Sequence, residues 1–346
     1  MFARALLLLA VWIGVASFAD VAAAENGLTI GTWTDYRRPV RSQSLYQPTA
    51  RDLGTSITEV PNDFNYLRIM VRAGNTSWDL VELSAIECVM AAREGLLEDI
   101  DYSTVRTEGL DPGVVRPQWV GVAYRATVLA WNPAKLSGPA PGGWRDLWDA
   151  RAYPGKRTLG YSMPPVTLTI AALADGVAPE NLYPFDLDRA FASIERIRPE
   201  IGGWWTSASL AKIYFQGDEA AMGSLPFSAT LNAPGQQGGG FEFSFGQSIV
   251  DADCIAVPKG APHRELAMRA VDMFLTPGRQ AALALAGPDG PVNPAAFRDG
   301  LIPEDRARAM ANSPANAAGR VLLDFEFWGS EQGDAAYSRF YSTVTR

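Results

Sequence analysis

The order of apolar and polar residues is most informative between residues 247 and 274. Residues 248–257 are mostly apolar, which predicts a buried strand, and they are interrupted by Asp251 and Asp253. Side chains two residues apart on a strand point to the same face, so these carboxylates should share a face. The prolines within residues 258–262 end the strand, and the apolar residues beyond them recur at helical spacing. The alternative is a core strand whose acids lie at its frayed start.

Strand-like and helix-like patterns alternate along the rest of the chain. The main predicted strands are residues 28–36, 57–60, 78–83, 121–132 and 157–160, and the main predicted helices are residues 64–71, 85–94, 166–174, 187–197 and 207–216. Such alternation predicts an α/β protein with a mostly parallel sheet. Ligands of such sheets collect at the carboxyl ends of the strands, which directs attention to the residues that follow each strand.

The Pro- and Gly-rich segment at residues 137–143 marks a change of domain. Beyond it, residues 156–252 contain their own alternation of strands and helices, and residues 248–257 then return the chain to the first domain. We therefore predict a first, discontinuous lobe of residues 25–132 and 255–346. Residues 133–254 form the second lobe in this prediction, and at least two strands connect the lobes.

Residues 1–24 have the features of a secretory signal peptide. They contain an early Arg4, an apolar run over residues 5–18 and three alanines at 22–24 that are typical of a cleavage site. An uncleaved membrane anchor is the alternative, but the run is short for a membrane span and Asp20 follows it closely. We expect cleavage after Ala24 and export to the periplasm.

Composition and charge exclude several classes of function. The chain has 346 residues, a formal net charge of −8 and a pI of about 4.9, which argues against a nucleic-acid-binding protein. Its one histidine, His263, has no recognisable nucleophile context and no cluster of metal ligands around it. The glycine-rich residues 235–240 are not followed by a helix, so they do not predict a phosphate-binding loop. This thin set of catalytic groups favours a binding protein over an enzyme.

The two cysteines, Cys88 and Cys254, fall in a predicted helix and in the predicted strand described above. Export would permit a disulfide between them. Both have apolar neighbours, however, and buried free cysteines behave as small hydrophobic residues. We therefore expect two buried free thiols.

Aromatic side chains lie beside polar groups near several strand ends, and they are candidates for a ligand-binding cleft. They are Trp33, Tyr36, Trp205 and Phe227. Aromatic faces bind alkyl chains and ammonium groups, and a carboxylate at one end fixes the charged group. Packing in the core is the alternative for each of them.

An ordered set of short phrases resembles the polyamine-type (spermidine/putrescine) periplasmic substrate-binding proteins of ABC transporters. The phrases are residues 31–36, 78–84, 153–157, 201–207, 217–223, 253–262 and 290–294. The resemblance implies a two-lobed α/β clamp, in which each lobe is a mostly parallel sheet flanked by helices and the ligand cleft lies at the hinge. It also implies a monomer that uses no cofactor and delivers its solute to an ABC permease in the inner membrane.

The resemblance also implies particular ligand-binding residues. Trp33, Thr34, Asp35 and Tyr36 match the first cleft segment, Ser84 matches the serine after the third strand, and Asp253 matches the acid before the chain returns to the first lobe. Arg125 adds a cation on the strand that enters the second lobe, and the alternative to a ligand contact is a surface ion pair. Asp251 faces either the cleft or solvent.

Two acids that the resemblance leads one to expect are missing, at residues 163–166 and 224–228. A diamine needs an anionic partner at each end, because an unpaired buried ammonium costs several kcal/mol. We therefore expect a solute with one amine, paired with Asp253, and one carboxylate that faces Arg125. A secreted hydrolase that uses carboxylates in the same cleft is the alternative. A metal-ion receptor of the same fold is a third possibility, but Tyr337 and Tyr341, which are spaced as on a helix near the C-terminus, are expected to pack there.

Overall fold

The computed structural model describes residues 27–136, 138–217, 219–230 and 240–345. The predicted signal peptide and all but the last residue of the glycine-rich segment 235–240 lie outside these ranges. Among the helices of the described ranges, none combines the length and the apolar character needed to cross a membrane.

The described strands form one nine-stranded sheet in the order β2-β1-β3-β8-β4-β7-β5-β6, and β9 pairs with β8 outside this path. The strands are β1 (Leu28–Thr32), β2 (Ile57–Pro61), β3 (Leu80–Ser84), β4 (Trp119–Trp131), β5 (Arg157–Gly160), β6 (Ile201–Trp205), β7 (Met222–Pro226), β8 (Glu242–Ala256) and β9 (Val321–Leu322). β1, β2 and β3 form one parallel group, and β5, β6 and β7 form another. The predicted α/β class is confirmed, with the refinement that the two groups belong to one mixed sheet.

The described helices cover the two parallel groups. They are α1 (Arg37–Arg41), α2 (Gln47–Leu53), α3 (Phe64–Arg72), α4 (Ala85–Arg93), α5 (Trp144–Trp148), α6 (Pro164–Ala174), α7 (Leu187–Ile197), α8 (Ala208–Gln216), α9 (Arg264–Phe274), α10 (Pro277–Ala286), α11 (Ala295–Arg298), α12 (Glu304–Arg308), α13 (Phe325–Trp328) and α14 (Glu331–Val344). A π-helical turn, Ser42–Tyr46, joins α1 to α2. The predicted helices at 64–71, 85–94 and 187–197 agree with α3, α4 and α7 to within one residue.

Two long antiparallel strands, β4 and β8, hold the parallel groups together. They pair from Trp119↔Ala256 at one end to Trp131↔Glu242 at the other. β3 pairs with β8 near the carboxyl end of β8, and β7 pairs with β4 near the carboxyl end of β4. Because β4 and β8 are antiparallel, the two parallel groups attach at opposite ends of this pair. The apolar run that predicted a strand at residues 248–257 is the buried part of β8. Asp251 and Asp253 are therefore well inside the strand, and the alternative of a frayed start is wrong.

The final helix α14 contacts elements of both parallel groups. Asp334 pairs with Arg93 of α4, and Arg339 pairs with Asp188 of α7. The Arg198 guanidinium donates a hydrogen bond to the carbonyl oxygen of Thr343. The contacts of α14 thus extend beyond the first lobe, to which residues 255–346 were assigned from the sequence.

Cys88 and Cys254 form a disulfide, so the expectation of two free thiols is wrong. The bond joins α4 to β8 with a Cα–Cα distance of 6.6 Å. Side chains alternate between the faces of a strand, so Cys254 points away from the face that carries its neighbour Asp253. Both cysteines are buried, as expected, but helix packing places their sulfur atoms against each other. The disulfide agrees with the predicted export from the cytoplasm.

Candidate functional site

The candidate site is built where the carboxyl ends of β1 and β3 meet the carboxyl-terminal part of β8. Residues 33–36 follow β1 directly and lead into the short helix α1. Ser84, the last residue of β3, lies opposite Asp253 in the register of β3 and β8. The local sequence therefore delivers an aromatic and polar loop, the start of a helix and a strand carboxylate to one place.

The deepest part of this region is an ion-pair network around Arg41. Its Nε donates to Glu82 Oε1 at 2.9 Å, and its Nη2 donates to Asp253 Oδ2 at 3.0 Å. The same Nη2 lies 3.1 Å from Asp289 Oδ2, and the Arg41 side chain is fully buried. Burial of an ionised group is tolerated only when it is paired and hydrogen-bonded, and Arg41 meets that condition through three carboxylates.

Hydroxyl groups complete the network on the side of Glu82. Tyr46 donates to Glu82 Oε2 at 2.6 Å, and Thr32 donates to the same oxygen at 2.8 Å. Burial raises the pKa of Glu82, whereas Arg41 opposes that change. These residues are enclosed in the core, so they support the site from behind.

Asp253 is fully buried and is shared by three guanidinium groups. Its carboxylate lies 3.3 Å from Arg37 Nη1, 3.0 Å from Arg41 Nη2 and 3.0 Å from Arg125 Nε. The expectation that Asp253 is the counter-ion of a solute ammonium is therefore corrected. Its charge is already balanced within the protein, because a buried carboxylate with no partner would destabilise the fold.

Arg37 lies between an aromatic ring and two carboxylates. Its Cζ is 3.5 Å from the centroid of the Trp33 ring. Its Nη2 is 2.6 Å from Asp35 Oδ2, opposite the contact of Nη1 with Asp253. Burial alone would raise the pKa of Asp35, but the hydrogen bonds and charge of Arg37 hold it below its usual value. The neighbouring Thr34 is exposed.

Arg125 and Asp251 face each other across β4 and β8. They occupy paired positions in the register, and their side chains form a salt bridge. Asp251 is 5% exposed, so it does not face open solvent, whereas the Arg125 side chain is 21% exposed. Burial raises the pKa of Asp251, and the charge of Arg125 opposes the shift. The prediction that Asp251 and Asp253 share one face is confirmed, because Arg125 contacts both.

Tyr36 extends the site towards a carboxylate that the sequence reasoning missed. Its hydroxyl donates to Asp289 Oδ1 at 3.0 Å, across 253 positions of the sequence. Burial raises the pKa of Tyr36, and the charge of Asp289 adds to this shift. Burial likewise raises the pKa of Asp289, although Arg41 opposes it. Asp289 precedes the phrase at residues 290–294 that the sequence singled out, but its own role had no local signal.

Two other predicted ligand-binding residues, Ser84 and Trp205, have structural roles. The Ser84 hydroxyl caps α4, since it donates to Glu87 Oε2 at 2.8 Å and accepts from Glu87 N at 3.2 Å. Trp205 is 1% exposed and its Nε1 donates to the carbonyl oxygen of Ser224 at 2.8 Å. That environment corresponds to the core-packing alternative, and the expectation of Trp205 at the cleft is corrected accordingly.

Phe227 remains close to Arg125. The two residues line a narrow crevice between β4, β8 and residues 288–290. The Phe227 ring also packs against the rings of Phe243 and Phe245, with centroids 5.7 and 5.2 Å away. The fold thus brings two of the predicted groups, the Phe227 ring and the Arg125 guanidinium, together at one opening.

Four further charged residues of this region were not identified from the sequence. They are Arg37, Arg41, Glu82 and Asp289. The spacing of Arg37 and Arg41 was an available signal, because residues four apart on a helix lie on the same face. Sequence spacing alone could not show which carboxylates this face would meet.

A metal centre has no support in this region. Within the ranges that the structure describes, no group of three or more His, Cys, Asp or Glu side chains is placed to hold a metal ion. Tyr341 packs its ring 5.1 Å from that of Tyr161, and Tyr337 is half-buried. These tyrosines therefore pack against the protein, as the sequence analysis allowed.

Residues 56–311 match the model of a family described as bacterial extracellular solute-binding protein. The chain belongs to this family. The match covers most of both parallel groups and the strands β4 and β8 that join them.

Relatives of this solute-binding protein extend over nearly the whole chain. It is 28% identical over 341 residues to the gamma-aminobutyric acid (GABA)-binding protein of Pseudomonas aeruginosa, which covers 96% of this chain and 95% of that protein. It is 23% identical over 339 residues to the spermidine/putrescine-binding periplasmic protein 1 of Haemophilus influenzae, with 93% and 90% of the two chains covered. A solved structure of a GABA receptor superposes with a TM-score of 0.84 at 29% identity, covering 92% of this chain and 98% of that one.

Proposed function

We propose that this solute-binding protein is the extracytoplasmic receptor of an ABC transporter. In this proposal it binds a small solute with one ammonium group and one carboxylate, of which GABA is the simplest example, and delivers it to an inner-membrane permease. The GABA-binding relatives support this assignment by their similarity over nearly the full chain. The predicted lobes, residues 25–132 with 255–346 and residues 133–254, would close on the solute as a periplasmic monomer.

The observation that carries the proposal is that the candidate site exposes one positive group, Arg125, and one negative group, Asp35. The side chain of Arg125 is 21% exposed, and that of Asp35 is 47% exposed. The charge of Arg125 contributes to the lowered pKa of Asp35, so the two groups are near enough to interact. A zwitterionic solute would pair its carboxylate with Arg125 and its ammonium with the exposed side of the Asp35 carboxylate, which the contact with Arg37 leaves accessible. Charge-assisted contacts of this kind fix both ends of a ligand.

A polyamine is the second candidate, because one relative is a spermidine/putrescine-binding protein. The charges around Asp253 favour a polyamine less than they favour a solute with one ammonium and one carboxylate. Three guanidinium groups, Arg37, Arg41 and Arg125, converge on Asp253 and would repel a second ammonium. The acids expected at residues 163–166 and 224–228 are also missing. A diamine would therefore find one anionic partner where it needs two.

Isothermal titration against GABA, putrescine and spermidine tests the proposal. The protein should first be unfolded, dialysed and refolded to remove any solute acquired during expression. We expect saturable binding of one GABA per chain and much weaker binding of both polyamines. Tight binding of putrescine together with weak binding of amino acids would refute the proposal. Recovery of the bound solute chemically unchanged would separate a receptor from a hydrolase.

A further inference from the structure

We propose that Arg37 fills, with its own guanidinium, a cation site that would otherwise accept an ammonium group of the solute. The site consists of the Trp33 ring and the carboxylates of Asp35 and Asp253. Arg37 is in this view the specificity-determining residue that excludes diamines and leaves room for solutes with a single ammonium. The inference deepens the proposed function and rests on it for the identity of the normal solute.

The geometry around Arg37 has each feature that recognition of an ammonium requires. An aromatic face lies 3.5 Å from Cζ, within the range of cation–π attraction. One carboxylate lies 2.6 Å from Nη2 and a second lies 3.3 Å from Nη1. Arg37 is 7% exposed and Asp253 is fully buried, so the contact between them is shielded from water, whereas Asp35 remains 47% exposed. The sequence analysis predicted this combination of ring and carboxylate for the solute, and the structure shows an internal cation in that position.

The backbone holds Arg37 in this position. It is the first residue of α1, and its backbone N donates to Asp35 Oδ1 at 3.0 Å. Its Nε also donates to Asp35 Oδ1, at 2.9 Å, so one carboxylate fixes both the main chain and the side chain. A tethered cation has a high effective concentration at its site, which a free ammonium at physiological concentration would have to overcome. Arg37 therefore acts as a permanent competitor for a second ammonium group of the solute.

A neighbouring arginine provides a matched control. Arg38 is the next residue of α1, but its side chain is 41% exposed and pairs with Glu59, away from Trp33 and Asp253. Replacement of Arg38 changes the charge of the same helix by the same amount. It leaves the contacts of the Arg37 guanidinium in place.

The test is titration of putrescine and of ethylammonium into the wild type, Arg37→Ala and Arg38→Ala. We expect Arg37→Ala to bind putrescine roughly tenfold or more tightly than the wild type does, because the ring and both carboxylates become available. Ethylammonium should raise the Tm of Arg37→Ala and leave the Tm of the wild type unchanged. Arg38→Ala should behave as the wild type in both measurements. Ethylguanidinium, which replaces the missing side-chain group, should compete with putrescine in Arg37→Ala only.

Unchanged or weaker putrescine binding by a folded Arg37→Ala would overturn the proposal. If that variant fails to fold, Arg37→Gln keeps the side-chain length without the charge and is subject to the same two measurements. Arg37→Lys retains a cation and should continue to exclude putrescine. Failure of the wild type to bind GABA would refute only the proposed function, because the gain of ammonium binding on loss of Arg37 is measured independently.

Discussion

The guanidinium of Arg41 donates to the carboxylate of Glu82 at 2.9 Å, and neither side chain is exposed to solvent. This pair joins α1 to the middle of β3. The second amino group of Arg41 also contacts Asp253 and Asp289, which belong to β8 and to the loop after α10. One buried cation therefore holds together four segments that are distant in the sequence, directly behind the candidate site.

Replacement of Arg41 by methionine should strongly destabilise the protein. Methionine fills much of the volume but leaves Glu82, Asp253 and Asp289 without their shared cation. Breaking a buried ion pair by removing one partner typically costs about 3–5 kcal/mol. The measurement is urea-induced unfolding followed by tryptophan fluorescence. Arg72→Met is the control, because the Arg72 side chain is 62% exposed and its ion pair with Glu94 should contribute little. Equal stability of the two variants would contradict the role assigned to Arg41.

The disulfide between Cys88 and Cys254 should contribute substantially to stability. The bond closes a loop with a sequence separation of 166, and it restricts the unfolded chain accordingly. Loss of a native disulfide commonly costs about 2–5 kcal/mol. We expect the double variant Cys88→Ala/Cys254→Ala to unfold at lower denaturant concentration than the oxidised wild type. Dithiothreitol should lower the stability of the wild type and leave that of the variant unchanged. A wild type insensitive to reduction under unfolding conditions would argue against the bond.

Replacement of Arg125 by lysine should weaken solute binding more than it weakens the fold. Lysine keeps the positive charge near Asp251 and Asp253, but it lacks the planar guanidinium that can contact both of these acids and a solute carboxylate. We expect the Kd for GABA to rise roughly tenfold or more, as for loss of one charge-assisted contact. Titration calorimetry provides the Kd, and thermal unfolding shows that the variant is folded. Arg308→Lys, at an exposed ion pair with Glu304, should change neither quantity appreciably.

The stability of the protein should depend on pH through Asp175. Hydrogen bonds from Arg189 hold the pKa of Asp175 below its usual value, and the charge of Arg196 adds to the effect. The ionised carboxylate therefore stabilises the fold above the ordinary Asp pKa of about 3.9, and this contribution is lost as the pH falls through the lowered value. We expect Asp175→Asn to be less stable than the wild type by about 0.5 kcal/mol at pH 7, as for a partly exposed ion pair.

That difference should shrink as the pH falls below 4, and added salt should reduce it at pH 7. Unfolding of both proteins in urea over this pH range provides the measurement. Glu304→Gln, at an exposed pair with Arg308, is the control for the loss of a surface ion pair. A difference that grows with acidity would mean that Asp175 is not held in its ionised form.

The elements of the fold were largely predictable, because their signals are local. The helices α3, α4 and α7 and the buried part of β8 follow from the periodicity of apolar residues over short windows. The prediction that Asp251 and Asp253 share one face was correct for the same reason, since a strand has a fixed period of two. The extension of β8 back to Glu242 was missed, although Phe241, Phe243 and Phe245 alternate with polar residues there.

The roles of individual site residues were less predictable. Trp205 and Phe227 both follow patterns typical of strand ends, yet Trp205 is 1% exposed in the core and Phe227 lines the crevice beside Arg125. The local sequence around each is compatible with either position. Their difference depends on which neighbours the rest of the chain places over them.

The sequence by itself determined the alternation of strands and helices, the shared face of the two acids and the resemblance to solute-binding proteins. Only the tertiary structure decided that Asp253 is neutralised by Arg37 and Arg41, which are 216 and 212 positions away, and that Cys88 is bonded to Cys254. The physical reason is the distance along the chain over which each effect acts. Backbone periodicity acts over a few residues, whereas the pairing of a buried charge or thiol depends on groups that meet only after the sheet has assembled.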